Sequence, residues 1–462
     1  MALNVVIMAA GKGTRMKSAH PKVLQKLAGT SLLQHVLDAA AALGSARTVV
    51  VTGHGAEAVE AAVAAAPAEN GPGVVCVRQS PQLGTGHAMQ IASPALDPAQ
   101  PTTLVLYGDV PLLRAETART LVAASGGERV ALLTFEPADA ARYGRIVRDG
   151  QGHVRAIVEY KDASPEQRAI GEVYSGIMAA PTRALQRWVA ALDNRNAQGE
   201  YYLTDVVAMA VGEGVPVVGE VVADESEVAG INDATQLAEL ERVYQRRQAS
   251  ALMEAGVRLA DPARFDLRGT LQCGQDVEID VGCVFEGAVT IGDGARIGPY
   301  CVLRDTQVAA GAQLAAFTHA TGGRIGERAE VGPFARLRPG AELGPEVHIG
   351  NFVEVKNSTL ARGAKANHLA YLGDATVGER VNYGAGSITA NYDGAYKHRT
   401  VIGNDVHVGS NCVLVAPVTL GDGATIGAGS TIGKNAPAGQ LTVARAKSVT
   451  IPGWQRPQKA KK

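Results

Sequence analysis

The 462-residue chain has almost no charge of one sign left over, with 44 Lys+Arg against 45 Asp+Glu. A nucleic-acid binder usually carries a basic surplus, and this chain has none. Aromatic residues make up only 4%, too few for a platform that stacks bases. The five cysteines, Cys76, Cys273, Cys283, Cys301 and Cys412, are odd in number and form no C-x-x-C pair. Neither a zinc site nor a disulfide framework is therefore legible, and reduced, buried thiols in the cytoplasm are expected. No apolar run reaches the ~18 residues of a membrane span, so no integral membrane contact is expected. The apolar stretch Val5 to Ala10 follows no basic region and is too short for a signal peptide. The terminal Lys459, Lys461 and Lys462 read as a solvated basic end.

Glycine, by contrast, is plentiful, at 54 residues, and near the C-terminus it keeps time. An apolar residue returns every sixth position at Ile402, Val408, Leu414, Leu420, Ile426 and Ile432. Glycine follows at Gly403, Gly409, Gly421, Gly427 and Gly433. Helices repeat near ~3.6 residues and strands at ~2, so a beat of six fits neither. It fits a solenoid of short flat strands, with the apolar residue inward on each face of a triangular coil and the glycine turning the corner. Ile291-Gly292, Ile297-Gly298, Ile325-Gly326, Val331-Gly332, Leu343-Gly344 and Ile349-Gly350 extend the pattern. The phase slips between Gly298 and Ile325, between Gly350 and Val377, and between Gly378 and Ile402, and an insertion or outward loop is expected at each. Three hexads per coil over residues 265 to 445 give roughly ten coils, a prism roughly 45–50 Å long at the ~4.8 Å strand spacing.

The length exceeds one ordinary core, so more than one domain is expected. The first half alternates strands and helices. Val5-Met8, Val49-Val51, Val74-Val77 and Leu104-Tyr107 read as strands, and Ser31 to Leu43 as a helix. That alternation implies a mostly parallel sheet covered on both faces, with ligands at the carboxyl ends of its strands. Leu237, Leu240, Val243 and Tyr244 then recur at helical spacing among Glu239, Glu241, Arg242, Arg246 and Arg247, a linker helix with a solvated charged face. The expected boundaries are 1–234, 235–255 for the helix, and 256–462.

The first strand runs into Gly11-Lys12-Gly13-Thr14-Arg15-Met16. Glycines after a strand let backbone N–H groups approach a phosphate, although the pattern is neither Walker A nor G-x-G-x-x-G. Asp109, in Tyr107-Gly108-Asp109, stands where a strand ends, a place suited to a carboxylate that holds magnesium. Ala9 to Met16 with Pro21-Lys22, Leu83-Gly84-Thr85-Gly86-His87-Ala88, Tyr107-Gly108-Asp109, Asn196-Ala197-Gln198-Gly199-Glu200-Tyr201-Tyr202 and the hexads together resemble one family over nearly the whole length. It is the bifunctional N-acetylglucosamine-1-phosphate uridyltransferase/glucosamine-1-phosphate acetyltransferases.

The resemblance implies an α/β fold in three parts: a Rossmann-like nucleotide-diphospho-sugar transferase domain, a linker helix, and a left-handed parallel β-helix of hexapeptide repeats. It also implies a homotrimer. In the first domain a sugar-1-phosphate oxygen would attack the α-phosphorus of UTP and expel pyrophosphate. Both reactants are anions, and one unit-charge pair at ~4 Å is worth about 4 kcal/mol at an effective dielectric of ~20. Cations must therefore gather, and Arg15, Lys22 and Mg2+ can supply them. By resemblance, Ala9, Ala10, Gly11, Gln79, Gly84 and Thr85 hold the uridine end, with Tyr107 and Gly108 also contributing to the nucleotide-sugar site. Lys22 contacts phosphate, Gly144 and Glu159 hold the sugar, and Asp109 and Asn232 ligate the metal. For Asn232 the competing reading is a helix N-cap. One departure stands out. The family places Asn before Ser/Thr-Gly-Ile, whereas this chain has Tyr174-Ser175-Gly176-Ile177. A phenol cannot replace both functions of an amide, so that sugar contact is not carried over.

In the hexad region polar residues collect where the rhythm slips. Arg338, Lys356 and Lys397 are suited to clamp a phosphate, and His368, with a reference pKa near ~6.5, is suited to take a proton from an amine at neutral pH. The resemblance implies acetyl transfer from acetyl-CoA to glucosamine-1-phosphate, with His368 as base and a backbone N–H near Ala385 stabilising the oxyanion. Glu354 is expected to orient the base or to bind a sugar hydroxyl. By resemblance, Arg338, Lys356, Tyr371, Asn382 and Lys397 contact the sugar phosphate, and Ala385, Asn391, Tyr392, Ser410, Ala428 and Arg445 contact acetyl-CoA. Cys412 reads as core. Two alternatives stand against this reading. One is a single-activity sugar-1-phosphate nucleotidyltransferase whose β-helix only assembles or regulates, which would have no need of His368, Asn391 and Lys397. The other is a non-enzymatic binding solenoid, which would have no need of Arg15, Lys22 and Asp109.

Overall fold

The computed structural model describes residues 3–66, 73–140 and 143–459. Lys459 is exposed, while Lys461 and Lys462 lie outside the described residues. The chain divides into two compact units, Met1–Tyr244 and Gln245–Lys462. The division falls inside the helix Ala234–Glu254.

The first unit is built on seven main strands: β1 (Leu3–Met8), β2 (Arg47–Thr52), β3 (Val74–Arg78), β4 (Thr102–Tyr107), β5 (Val130–Phe135), β6 (Val173–Pro181) and β7 (Val217–Val221). Their order is β7-β5-β6-β4-β1-β2-β3. β6 is antiparallel to β4 and β5, and the other neighbours are parallel. Valine-rich runs suit such strands because both faces are covered. In β1 the alternation is visible: Val5 and Ile7 enter one core cluster, Val6 and Met8 the other. The chain leaves β1 toward β2 and β3, then returns to β4 on the other side of β1. That reversal is a topological switch point, where open α/β sheets form a crevice at their carboxyl ends. The helix Leu32–Ala42 follows β1, capped by Ser31, whose Oγ accepts the Gln34 N–H at 3.1 Å.

Asp233, not Asn232, caps the helix Ala234–Glu254. Its Oδ1 accepts from the Gln236 N–H at 2.9 Å, and its carbonyl accepts from Leu237 N. The helix charges are not all solvated, either. Glu241 is half-buried and its Oε2 accepts the Ala28 N–H at 2.6 Å. Ala28 has a positive φ of 51°, so its N–H points away from ladder partners and takes a side-chain acceptor instead. Within the second unit, Gln245 is buried and its amide bonds both the N–H and the carbonyl of Leu267.

The second unit is a parallel β-helix with three short strands per coil. One face is an eleven-stranded sheet from Arg258–Leu259 to Leu441–Thr442, and the other two faces form a seventeen-stranded sheet. Ile402, Val408, Leu414, Leu420, Ile426 and Ile432 are all buried in one continuous core. Cys283, Cys301 and Cys412 belong to that core, whereas Cys76 and Cys273 are only half-buried, against the expectation for all five. They sit in strands whose faces are partly open.

Two expectations about the hexads are corrected. Gly403, Gly409, Gly421, Gly427 and Gly433 have ordinary φ and do not make the corner turn. The corner lies two residues on, and Asp405 and Asn411 adopt positive φ there. The glycine is needed for close approach: a Cβ on Gly409 would stand 2.5 Å from Ala428 N of the next coil. The phase slips also differ in kind. Ile291 pairs with Val308, and Val308 with Ile325, steps of seventeen residues against the eighteen of Ile402 with Leu420. The second slip is again a short coil, Leu360 pairing with Val377. Only the third is an outward loop, where Val377 pairs with Ile402 across twenty-five residues.

Close approach and turning can be separated experimentally. Gly409→Ala is expected to cost roughly 1–3 kcal/mol by overpacking, whereas Asn411→Gly, at the true corner, should stay within about 1 kcal/mol of wild type. Chemical denaturation followed by far-UV circular dichroism measures both. Equal costs would return the turning role to Gly409.

Candidate active sites

At the switch point of the first unit a cavity of about 400 Å³ opens. Its wall includes Ala9, Ala10 and Gly11 after β1, Gln79 after β3, Tyr107 and Asp109 at the end of β4, and Lys22, Gly84 and Thr85. Residues without a sequence assignment also line it, notably Lys12, Gln82 and Glu200. Gln82 fastens the β1 loop through Nε2 to Ala10 O at 3.2 Å. It carried no motif signal, because its role depends on a loop brought from far away in sequence.

Lys22 is the centre of charge. Its Nζ donates to Asp109 Oδ2 and, at 3.2 Å, to Asn232 Oδ1. Gly13 makes room for it: φ is 56°, and a Cβ there would lie 2.6 Å from Lys22 Cβ. Asn232 is available because Asp233 serves as cap, and Ile231 N donates to Asp109 O at 2.9 Å, tying the two segments together. Two side-chain oxygens thus converge on one point, now held by an ammonium. An oxygen pair with room for phosphate oxygens and water is what magnesium takes, so the donor set fits that ion. Among the described residues no cluster of three His, Cys, Asp or Glu offers an alternative metal site. Arg15 is exposed and does not line the cavity, and Gly108 backs it, its N–H donating to Met8 O at 2.9 Å.

Gly144 and Glu159 stand together beyond Tyr107. A Cβ on Gly144 would be 3.8 Å from the Glu159 carboxylate oxygens. Burial pushes the Glu159 carboxyl up, against the Thr204 hydroxyl that donates to Oε1 at 3.2 Å. Tyr107 is half-buried in the cavity wall; desolvation first, then the charges of Glu159 and Asp109, raise its phenol. Tyr174 is buried beside it, and its phenol donates to Gly176 O at 2.6 Å. Its one proton is spent on its own backbone, so where the family pattern has an amide this chain has a neutral wall.

In the second unit the coil register assembles a column. Asn351 pairs with His368. Three residues on from the paired Lys365–Asn382, Asn382–His407 and His407–Thr425, the residues His368, Ala385, Ser410 and Ala428 stack one coil apart, ~4.8 Å per step. The same corner position is Pro299 and Pro333 in earlier coils. In those two coils the ladder calls on no N–H at this position, so proline is tolerated there. In the later coils that N–H exists and is free: those of Ala385, Ser410 and Ala428 donate to no protein acceptor among the described residues. Arg445 lies beside this edge, its Cδ 3.8 Å from where a Cβ on Gly429 would be.

His368 is exposed, and its Nδ1 bonds Asn351 Oδ1 at 3.1 Å. A carbonyl oxygen only accepts, so Nδ1 carries the proton and Nε2 keeps its lone pair. The orienting residue is therefore Asn351. Glu354, the expected one, instead accepts from Arg338 Nη1 at 2.8 Å. The cations gather at the next edge of the same face. Arg338 precedes Lys356 by one coil, and a hydrogen bond and like charge from Lys397, with Arg338 behind, hold the Lys356 ammonium below the ordinary lysine range. Lys397 is set by the outward loop, where Tyr392 and Lys397 form an antiparallel bridge and Asp393 binds His398 at 2.6 Å. Asn391 gives its amide nitrogen to Asp374, which also binds Asn357. Tyr371 starts the strand between the two edges, whereas Asn382 lies on the adjoining face with His368.

Comparison with known proteins decides the family. Residues 5–195 match the MobA-like NTP transferase domain, and residues 272–305 and 399–434 match the bacterial transferase hexapeptide repeat. The chain is 70% identical to the bifunctional protein GlmU of Methylibium petroleiphilum over 99% of both chains. This chain belongs to the GlmU family. It is 65% identical to the GlmU of Paracidovorax citrulli over 100% of this chain and 99% of that protein. Against that of Bordetella parapertussis identity is 57% over 99% of each. Full-length likeness to proteins named bifunctional does not favour the single-activity alternative. The GlmU-family chain described here has no helix long and apolar enough to cross a membrane, among the described residues.

Burial of Glu159 gives a pH-dependent expectation. Its raised pKa means that the ionised carboxylate is disfavoured in the folded state, so the penalty is full above that pKa, fades as pH falls through it, and is gone below the unfolded value of ~4.3. Glu159→Gln should raise the first unit's melting temperature at pH 7, with the gain shrinking toward pH 4. Thermal melts across that range measure it, and a gain that grows toward acid would contradict the assignment.

Proposed function

We propose that the second unit transfers acetyl from acetyl-CoA to the amine of glucosamine-1-phosphate, and that the first unit transfers uridylyl from UTP to the resulting N-acetylglucosamine-1-phosphate, releasing pyrophosphate. The observation that carries this reading is the pairing in the second unit of a base of fixed tautomer, His368 on Asn351, with an uncommitted N–H one coil away at Ala385. A scaffold has no use for either.

In the acetyl transfer, Arg338, Lys356 and Lys397 hold the sugar phosphate. The repulsion that lowers Lys356 is relieved by a bound anion. An ammonium has no lone pair, so the amine first releases one proton to solvent; Nε2 of His368 then takes a second from the nitrogen as it attacks the thioester carbonyl. The oxyanion accepts the Ala385 N–H. The thiolate of CoA leaves and takes the proton back from the imidazolium. Ser410 and Ala428 N–H groups meet amide carbonyls of the pantetheine arm, with Asn391, Tyr392 and Arg445 as further contacts to acetyl-CoA. Tyr371 and Asn382 contact the sugar.

In the uridylyl transfer, Lys22 and Arg15 lower the repulsion between sugar phosphate and triphosphate. Asp109 and Asn232 would hold Mg2+, which when bound adds positive charge against the phosphates. Ala9, Ala10, Gly11, Gln79, Gly84, Thr85, Tyr107 and Gly108 enclose the nucleotide, and Gly144 and Glu159 the sugar. No enzyme nucleophile is required, since the sugar phosphate is one. These substrates place the protein in the cytoplasm, supplying precursor for the bacterial envelope.

The acetyl site is divided between two edges of one face, with His368 and Ala385 on one and Lys356 and Lys397 on the next. A homotrimer with sites between neighbours brings one edge from each of two copies together. Two tests follow. His368→Ala should abolish CoA release and spare pyrophosphate release, and Asp109→Ala should do the reverse; loss of both activities in one folded variant would count against separate sites. Co-expressing His368→Ala with Lys356→Ala chains should restore a measurable fraction of acetyl transfer that neither shows alone, because mixed trimers contain intact sites. No recovery in purified mixed assemblies would place each site within one chain.

A further inference from the structure

Gln79 is the most enclosed amide in the wall of the first unit's cavity, 4% exposed. Its backbone N–H donates to Thr52 O at 2.8 Å, fixing it at the end of β3. Its side-chain nitrogen has two protein partners. Nε2 lies 2.9 Å from Gly84 O, an atom that only accepts, and 3.2 Å from His87 Nδ1. An amide nitrogen carries two protons and no usable lone pair. One proton goes to Gly84 O and the other to Nδ1, so His87 is the tautomer protonated on Nε2. Oε1 receives no protein hydrogen bond among the described residues. The cavity therefore meets Gln79 as an acceptor alone.

His87 is itself held. It stands on the helix Thr85–Ala92, and its ring lies 6.1 Å from that of Tyr201. Tyr201 is clamped to the start of that helix by its N–H to Leu83 O at 2.9 Å and by Gly86 N–H to its own carbonyl at 2.8 Å.

We propose, on the uridylyl-transfer reading above, that His87 is a positioning residue for base selection: by taking the second amide proton of Gln79 it leaves only Oε1 to meet the nucleobase. An acceptor at that point suits the imide N3–H of uracil and opposes cytosine, whose N3 is itself an acceptor. Without His87, Gly84 O still engages one proton, but the other is left uncommitted in a buried place. A small rotation then offers it to the cavity, where cytosine N3 can receive it.

The test is the ratio of kcat/KM for UTP to that for CTP, read as pyrophosphate release with N-acetylglucosamine-1-phosphate. His87→Ala should lower the ratio at least tenfold. His87→Asn, whose Oδ1 stands where Nδ1 stood and accepts the same proton, should stay within about threefold of wild type. Should the alanine variant unfold the first unit, His87→Leu keeps the bulk, lacks the acceptor and carries the same expectation. An unchanged ratio in the variants lacking the acceptor overturns the proposal, and so does equal loss in the alanine and asparagine variants, which would mean packing alone. Wild-type protein that releases no pyrophosphate with either nucleotide would sink the uridylyl reading itself, and base selection with it.

Discussion

In-register stacking of short parallel strands is the constraint on which the chemistry of the second unit rests. Each coil repeats the last at one strand spacing, so a corner position becomes a line of equivalent atoms. In several coils stacking leaves the N–H of this corner position outside the ladder. In early coils prolines occupy that position, at Pro299 and Pro333; in later ones it carries Ala385, Ser410 and Ala428 with free donors. His368 joins the same line, one coil before Ala385. A regular fold thus turns a backbone by-product into a row of donors, and one side chain on that row supplies the base.

The first unit solves a different problem, the approach of two anions. At the centre of its answer is the Lys22 ammonium, set between Asp109 and Asn232 at the point where the sheet reverses its strand order. Three distant segments meet there, and each is freed or fixed by a local device. Gly13 clears space for the lysine stem, Asp233 takes the capping duty that would have occupied Asn232, and Ile231 N–H locks onto Asp109 O. Amide groups elsewhere follow the same logic. Where two acceptors take both protons of the nitrogen, as Gly84 O and His87 do for Gln79, only oxygen remains for a ligand.

Much of this was legible before any coordinates. The six-residue beat named the β-helix, because an inward apolar residue per face is a demand on sequence that no helix or ordinary strand makes. The alternation of Val5, Val6 and Ile7 between two core clusters is the same kind of demand with a period of two. The reading failed where two residue types satisfy one pattern for different reasons. Glycine at 403 or 409 looks like a turn and is in fact a place of close approach. A slip of phase looks like an insertion and is twice a coil one residue short. Of the two roles expected for Glu354, orienting His368 or binding a sugar hydroxyl, the first belongs instead to an amide seventeen residues before the histidine, while Glu354 accepts from Arg338.

By itself the sequence determined the two architectures and the residue types that make each chemistry possible, since periodicity and local motifs depend on neighbours along the chain. Tertiary structure decided which of those residues face one another, which proton sits on which nitrogen, and which backbone donors are left over. Those outcomes depend on partners dozens to hundreds of residues away, as with Lys22 and Asn232, and no local pattern encodes a partner at that range.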